Sequence, residues 1–395
     1  MRDTACDTGV IIADAVALAE LPGGTGHEPV RIDWLNKRLA AAAGSRRVDG
    51  VGNLVWTFGP PPYRLAVLVH VDDVFGEQTA RGVTRRDGWL CGPGIGDNAI
   101  AVATAAAVIE RALAGPGDRP LAVVFTVGEE GLGGLRGARH ACRELAPEAV
   151  LALEGHGSDR VFTDAVGSLR VRLTVTGPGG HSWWDRSRPS AVHELVRLLT
   201  GIIAPVPAPL SVNVGLADGG TGVSAIAARA SATVEWRATD QAALDRQEAA
   251  LAELTAEVSP GLRLEAERLD RRPAGSLPHA HPLVAAVLRA RRAVGLPDAT
   301  GDGSTDANAA FAAGIPAVAL GCRVGEDMHA PTPSGSGPIP SPSAPASCRP
   351  CWPRSWTDPP HRELRNEQCC EPARTTSSRS ATAGRCGSTA SRSRT

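Results

Sequence analysis

The feature that most constrains the fold of this chain is a set of short, almost continuous apolar runs that each end at a polar residue. Residues 65–71, 121–125 and 150–153 are the clearest of these runs. Such runs suit strands that are buried on both faces of a parallel or mixed sheet, because each face then needs apolar side chains. Helical spacing over residues 99–114, 132–145 and 282–294 predicts the helices that cover such a sheet. We therefore predict an α/β fold with a mixed sheet.

The order of elements changes in the middle of the chain. Strand and helix patterns there predict strand, helix, strand, strand, helix and strand over residues 168–175, 190–203, 210–216, 230–237, 241–258 and 262–267. This order is typical of a smaller α+β domain inserted into the first. We predict a catalytic domain from residues 1–166 and 271–332, with the insertion at residues 167–270.

The last part of the chain, residues 333–395, has a different composition. Hydrophobic periodicity ends there, and serine, proline, arginine, threonine and cysteine dominate, which predicts a disordered tail. A frameshift is the alternative, because Lys37 is the only lysine in an arginine-rich chain, as GC-rich coding produces. Resequencing the end of the gene tests this alternative, and a verified unbroken reading frame would exclude it.

Composition limits the classes of function. The chain has 395 residues, 43% hydrophobic residues and a formal net charge of −1, so it can bury a sizeable core and nothing in its overall charge indicates nucleic-acid binding. Asp14 and Glu20 interrupt the apolar stretch at the start, so we predict neither a signal peptide nor a membrane span. Isolated cysteines in the body are typical of a reduced, cytoplasmic protein.

Residues that bind metal or move protons stand at the ends of several apolar runs. Two histidines and four carboxylates have this type of position: His70, Asp97, Glu129, Glu130, Glu154 and His329. Each alone has an ordinary explanation, such as a helix cap for Asp97 or a solvated loop residue for His329. Together they are the residue types that a paired divalent-metal site with its own general base requires.

The adjacent pair Glu129 and Glu130 is the sharpest of these signals. Two neighbouring carboxylates after a buried strand repel one another and need a cation or a proton to coexist. If one binds metal, the other is free to take a proton from water. Asp72 lies two residues after His70 and points to the same side, where its carboxylate can orient the imidazole.

Over about residues 10–332 the chain resembles the M20 metallopeptidases, which include aminoacylases, succinyl-diaminopimelate desuccinylases, acetylornithine deacetylases and glutamate carboxypeptidases. The motifs that carry the resemblance are His70-Val71-Asp72-Asp73, Gly94-Ile95-Gly96-Asp97-Asn98, Gly128-Glu129-Glu130-Gly131, Gly179-Gly180-His181-Ser182 and Ser304-Thr305-Asp306-Ala307-Asn308. The resemblance implies a hydrolase of amide bonds in small substrates.

The resemblance also implies a site with two divalent ions, most commonly Zn²⁺ with Co²⁺ or Mn²⁺ as alternatives. Asp97 would bridge the ions, and the other ligands would be His70 and Glu154 for one ion and Glu130 and His329 for the other. Glu129 would be the general base that takes a proton from metal-activated water, and Asp72 would hold the metal-binding tautomer of His70.

The insertion resembles the lid or dimerisation domain of that family. This implies that His181 stabilises the developing oxyanion, often across the boundary of a homodimer, and that Asn213 and Arg237 bind polar groups of the substrate. The resemblance implies a small peptide or an N-acyl amino acid as substrate, and the sequence does not decide between them. We expect no membrane partner.

Two departures from the family leave other functions open. Ser224 stands where many relatives have asparagine, and Pro331-Thr332-Pro333 leads into the unusual tail where relatives continue into a closing helix. An inactive or noncatalytic family member is therefore the alternative to the hydrolase. Nucleic-acid binding by the basic tail is a third hypothesis, but the tail lacks a regular motif.

Overall fold

A computed structural model describes residues 7–86, 89–111, 120–204, 208–256, 258–322 and 339–340 of the protein. The α-helices in these ranges are α1 (Thr8–Glu20), α2 (Pro29–Arg38), α3 (Ile100–Arg111), α4 (Arg136–Leu145), α5 (Ala191–Ile202), α6 (Gln241–Ala256), α7 (Pro282–Ala293) and α8 (Ala307–Ala312), and a π-helical turn at Ile95–Ala99 precedes α3. None of them combines the length and the apolar composition that a bilayer crossing requires.

The strands of the first half are β1 (Ser45–Val48), β2 (Leu54–Phe58), β3 (Leu65–His70), β4 (Thr84–Arg86), β5 (Trp89–Cys91), β6 (Leu121–Thr126), β7 (Val150–Glu154), β8 (Arg160–Ala165) and β9 (Gly167–Thr176). Those of the second half are β10 (Gly180–His181), β11 (Ser211–Gly219), β12 (Ala225–Ile226), β13 (Arg229–Ala238), β14 (Arg263–Arg272), β15 (Gly275–Ser276), β16 (Ala299–Gly303), β17 (Ala317–Gly321) and β18 (Ile339–Pro340).

The larger sheet has nine strands, in the order β1-β2-β6-β3-β7-β17-β8-β15, with β16 also paired to β8. Its centre is parallel, because β3 pairs in parallel with both β6 and β7, and β17 pairs in parallel with β7. Strands β1 and β2 extend it in antiparallel fashion. The prediction of an α/β fold with a mixed sheet is confirmed.

Both faces of this sheet are covered, which explains the continuous apolar runs. Val69 and Phe125 pack with α1, α2 and α3 on one face, whereas Leu68 and Val124 pack with α4 and α8 on the other. Successive residues of a strand point to opposite faces, so each run must be apolar at almost every position. Helix α7 adds a further cluster, in which Val284 and Leu288 pack with strands β8 and β17.

The smaller sheet has four antiparallel strands, in the order β11-β13-β9-β14. Helices α5 and α6 cover one face, where Leu195 and Leu244 share a core with Trp236. The remaining short strands pair β10 with β12, and β5 with β4 and β18. All the predicted strands and helices of the insertion are present, although β14 is longer than expected. The residue boundaries of the insertion remain a prediction.

The chain crosses between the two sheets at Val166 and again at Pro273. The side chain of Asn308 contacts both of these crossing points. Asn308 donates hydrogen bonds from Nδ2 to the backbone oxygens of Val166, at 2.9 Å, and Pro273, at 2.8 Å. Its Oδ1 accepts from the backbone N–H of Thr305 at 2.8 Å. Asn308 is fully buried, so these bonds hold both crossings to the start of α8.

Candidate metal centre and active site

The parallel strands bring three predicted metal ligands together. His70 ends β3 and Glu154 ends β7, so the two residues lie at the same edge of the nine-stranded sheet. The His70 Nε2 atom lies 3.3 Å from Glu154 Oε2 and 3.2 Å from Asp97 Oδ1. One ligand atom from each of these residues lies within 4.8 Å of the others. The family resemblance implied these three residues as ligands of one ion.

Close backbone approach places the loop of Asp97 against the end of β7. A Cβ atom on Gly155 would lie 1.5 Å from the backbone oxygen of Gly96, so a side chain at this position would displace the loop. The neighbouring Asn98 donates from Nδ2 to the backbone oxygens of His70, at 3.3 Å, and Leu153, at 3.1 Å. Asn98 therefore ties the loop to the ends of β3 and β7.

The two adjacent glutamates follow β6 and are held by Asp72. Asp72 Oδ1 accepts from the backbone N–H of Glu129 at 3.1 Å, and Oδ2 accepts from that of Glu130 at 2.9 Å. Thr25 donates to the same Oδ2 at 2.8 Å. His70, Glu129 and Glu130 also offer one ligand atom each within 4.8 Å of the others. The predicted general base and a ligand for the second ion thus lie beside the first group.

Asp72 contacts His70 as well. The Nδ1 atom of His70 lies 3.1 Å from the backbone oxygen of Asp72 and 3.6 Å from its carboxylate. The backbone oxygen is the hydrogen-bond acceptor, which places the proton on Nδ1 and leaves Nε2 available as a ligand atom. The predicted orientation of the imidazole by Asp72 therefore uses its main chain, with the side chain nearby.

The electrostatics of the cluster favour a bound cation. Burial raises the pKa of Glu130 well above its usual range, and repulsion from Asp97 and Glu129 raises it further. Burial also raises the pKa of Glu154, against the attraction of His70. Burial disfavours a charged His70, but Glu154, Asp72 and Asp97 together hold its pKa well above 6.5. Carboxylates this closely grouped need positive charge, and imidazole and carboxylate are the donors that zinc prefers.

Two further buried residues reach the site, and the sequence analysis assigned no role to either. Arg272, the last residue of β14, forms an ion pair with Glu129 over 2.7 Å between Nη1 and Oε1. Asp306 Oδ2 accepts a hydrogen bond of 2.5 Å from the hydroxyl of Thr126, which is the last residue of β6 before the glutamate loop. Asp306 lies in a motif that carried the family resemblance. No sequence pattern indicated a role for Arg272, because the predicted strand ended five residues before it.

The remaining predicted site residues lie on strands β10, β11 and β13 or outside the described residues. His181 is exposed on β10, Asn213 lies on β11, and Arg237 pairs with Glu235 on β13 at 2.8 Å. Among the described residues, none of these three makes a hydrogen bond or ion pair to the metal ligands. His329 and residues 333–338 and 341–395 of the predicted tail lie outside the described residues.

Comparisons with known proteins identify a family for this chain. The family model described as peptidase family M20/M25/M40 matches residues 66–336, more than half of the chain. No curated protein compared with the chain matches it.

Solved structures show a similar fold. A tripeptidase from Staphylococcus aureus has 19% sequence identity and a TM-score of 0.71, covering 85% of this chain and 94% of its own. The dipeptidase Dug1p from Saccharomyces cerevisiae has 13% identity and a TM-score of 0.61, with coverages of 84% and 91%. An amidase of the hydantoinase/carbamoylase family from Burkholderia vietnamiensis has 18% identity and a TM-score of 0.57, with coverages of 82% and 91%.

Proposed function

Because the chain belongs to peptidase family M20/M25/M40, as its motifs predicted, we propose that it is a dizinc hydrolase of amide bonds in small peptides or N-acyl amino acids. The observation that carries this proposal is the grouping of His70, Asp97 and Glu154 within 4.8 Å, with Glu129 and Glu130 alongside. The donor set and the raised carboxylate pKa values support a metal centre there.

The grouping supports part of the ligand set, and the family resemblance implies the rest. His70, Asp97 and Glu154 would hold one ion, and Glu130, Asp97 and His329 would hold the other. When bound, two divalent ions would act as Lewis acids on an amide carbonyl and on a water molecule. Zn²⁺ fits an imidazole and carboxylate site best, and Co²⁺ or Mn²⁺ would fit the same donors.

Glu129 would serve as the general base. Its carboxylate would take a proton from the attacking water on one oxygen and return it to the amine that leaves. Asp72 supports this role because it fixes the backbone of both glutamates. Burial of Glu129 keeps bulk water away from the carboxylate that receives the proton.

His181 would donate a hydrogen bond to the developing oxyanion. Its Nδ1 atom accepts from the backbone N–H groups of Trp183, at 3.2 Å, and Trp184, at 3.4 Å. The ring proton is then on Nε2, which makes this nitrogen the donor. We propose that His181 acts in a homodimer formed through the inserted domain, and that Asn213 and Arg237 bind substrate polar groups. Sedimentation of a monomer at working concentration would contradict the dimer.

The test combines metal content with a substrate panel. Purified protein is assayed on dipeptides, tripeptides and N-acyl amino acids, and its zinc content is measured by mass spectrometry. About two ions per chain are expected from the ligand set. Glu129→Gln should retain the metal and lose about 10²- to 10⁴-fold in kcat. Preference within the panel distinguishes a peptidase from a deacylase.

Glu148→Gln is the matched control, because Glu148 has a side chain that is 60% exposed and pairs only loosely with Arg64 at 3.6 Å. It should leave both metal and turnover unchanged. Folded protein that binds no metal and turns over nothing would contradict the proposal and favour an inactive family member. Turnover by Glu129→Gln at the wild-type rate would exclude Glu129 as the base.

A further inference from the structure

Arg272 connects the four-stranded sheet to the loop that carries both glutamates. It ends β14, where it pairs with Ser168 of β9, and it is 4% exposed. Its Nη1 donates to Glu129 Oε1 at 2.7 Å and to Ser304 Oγ at 3.1 Å, and its Nη2 donates to the backbone oxygen of Glu129. One guanidinium therefore holds both the side chain and the main chain of a single glutamate.

This arrangement restricts the glutamate more than a simple ion pair does. The planar guanidinium donates in fixed directions, so two bonds to one residue define its rotamer as well as its position. Burial removes the competition from water that weakens exposed ion pairs. A lysine at position 272 could supply the positive charge, but it lacks the planar pair of N–H groups that bond to the side chain and the main chain of Glu129.

A second arginine of the same sheet holds the other end of the loop. Arg170 on β9 donates to the backbone oxygen of Gly131, two residues after Glu129. It also pairs with Glu235 at 2.7 Å and with Asp270 at 3.3 Å. Glu235 in turn binds Arg237 at 2.8 Å. The loop is thus connected through Arg170 and Glu235 to a residue proposed to bind substrate.

A bulge in β14 makes these contacts possible. The register between β14 and β9 shifts between Arg268 and Asp270, after which Asp270 faces Arg170 and Arg272 faces Ser168. A shift of one position reverses the faces to which the following side chains point. The bulge therefore determines that Arg272 is directed at Glu129.

We propose that Arg272 is a positioning residue for Glu129 and that Arg272 and Arg170 couple the four-stranded sheet to the orientation of the catalytic glutamates. This inference rests on the proposed role of Glu129 as general base. It adds that the four-stranded sheet sets the geometry of that base directly, in addition to carrying Arg237 on β13. Movement of the smaller sheet would then change the base and the substrate contacts together.

The experiment compares Arg272→Lys, Arg272→Met and Arg272→Ala with the wild type in kcat, KM, metal content and thermal unfolding. All three should lose about 10- to 100-fold in kcat, as misplacement of a reacting group by about 1 Å produces. KM and metal content should stay within about twofold. Added guanidinium should restore part of the kcat of Arg272→Ala, because it can occupy the vacated space. Arg172→Ala is the control, since Arg172 lies on β9 and makes an exposed pair with Glu267.

A double variant separates positioning from general destabilisation. If Arg272 acts through Glu129, Arg272→Met should have little further effect on the residual rate of Glu129→Gln, because the two substitutions remove one function. Additive losses, or parallel loss of metal and turnover without guanidinium rescue, would show a purely structural role and overturn the proposal. A wild-type kcat in Arg272→Lys would also overturn the proposal. Arg272→Lys keeps the buried positive charge, so it still provides the test if Arg272→Met does not fold.

Failure of this inference is distinguishable from failure of the proposed function. If turnover survives Glu129→Gln, Glu129 is not the general base, and the proposed role of Arg272 loses its premise. Turnover that requires Glu129 but ignores Arg272 leaves the proposed function intact and contradicts only the positioning role.

Discussion

Asp72 Oδ2 accepts a hydrogen bond from the backbone N–H of Glu130 at 2.9 Å. Asp72 lies two residues after the end of β3, and the bond joins it to the loop after β6. The position of the predicted ligand Glu130 therefore depends on a residue two positions from the predicted ligand His70. The same carboxylate accepts from Glu129, which makes Asp72 the organising residue of the loop.

Removal of the Asp72 carboxylate should destabilise the protein. Asp72→Ala leaves two backbone N–H groups without their acceptor, and each unsatisfied buried donor costs about 1–3 kcal/mol. The free energy of unfolding in urea should therefore fall by about 2–6 kcal/mol. Asp159→Ala, in which an exposed carboxylate that pairs with neighbouring Arg160 is lost, should change it by no more than about 0.5 kcal/mol. Equal effects of the two substitutions would contradict this account.

Removal of the imidazole at the centre of the cluster should abolish metal binding. We expect His70→Ala to lose most of its bound metal and its turnover, because His70 belongs to both ligand groups of the site. Metal content by mass spectrometry and calorimetric zinc titration measure the effect. His27→Ala is the matched control, since His27 is half-exposed and pairs with Glu77. Zinc bound by His70→Ala at the wild-type level would exclude this site.

Chelation should lower stability as well as activity. A ligand that binds the folded state alone stabilises it by an amount that grows with the ratio of its free concentration to its dissociation constant, about 2.7 kcal/mol at a hundredfold ratio. The unfolding temperature should therefore fall on treatment with chelator and recover when zinc is returned. His70→Ala should show little response to either treatment. An unfolding temperature that chelator does not change in the wild type would contradict the prediction.

Asp306 should make the metal-free protein less stable as pH rises. Burial, with repulsion from Glu129, raises the pKa of Asp306 from 3.8 to about 7. The folded state then binds more protons than the unfolded state between those values, so the free energy of unfolding falls as pH rises from about 4 to 7. Asp306→Asn should remove this contribution and stabilise the chelated protein at pH 8 relative to the wild type. The exposed Asp302→Asn provides the control, and identical pH profiles for all three proteins would contradict the prediction.

The sheet interior should be sensitive to lost volume. Leu68 is fully buried in central strand β3, and truncation of a buried leucine to alanine costs about 2–5 kcal/mol. Leu216→Ala, on a strand residue that is 70% exposed, should cost less than about 1 kcal/mol. Urea unfolding of both variants measures the difference. A similar cost at the two positions would show that β3 is not buried as described.

The strand ends of the site were predictable because the signal is local. The apolar runs identified β3, β6 and β7, and parallel strands bring their carboxyl ends to one edge, where His70 and Glu154 meet. Arg272 was not predictable in the same way. The pattern of β14 weakens at the bulge after Arg268, so the predicted strand ended at residue 267, whereas the real strand continues to Arg272.

The sequence by itself determined the α/β class, the main strands and helices and the residue types of the candidate metal centre, because burial on both faces of a sheet imposes a periodicity that is visible along the chain. Only the tertiary structure decided that Arg272 contacts Glu129, 143 positions away, and that Asn308 holds both chain crossings. It also decided that Asp306 is buried close enough to Glu129 for its pKa to rise to about 7. These properties depend on contacts and desolvation between distant segments, which no local pattern of residues encodes.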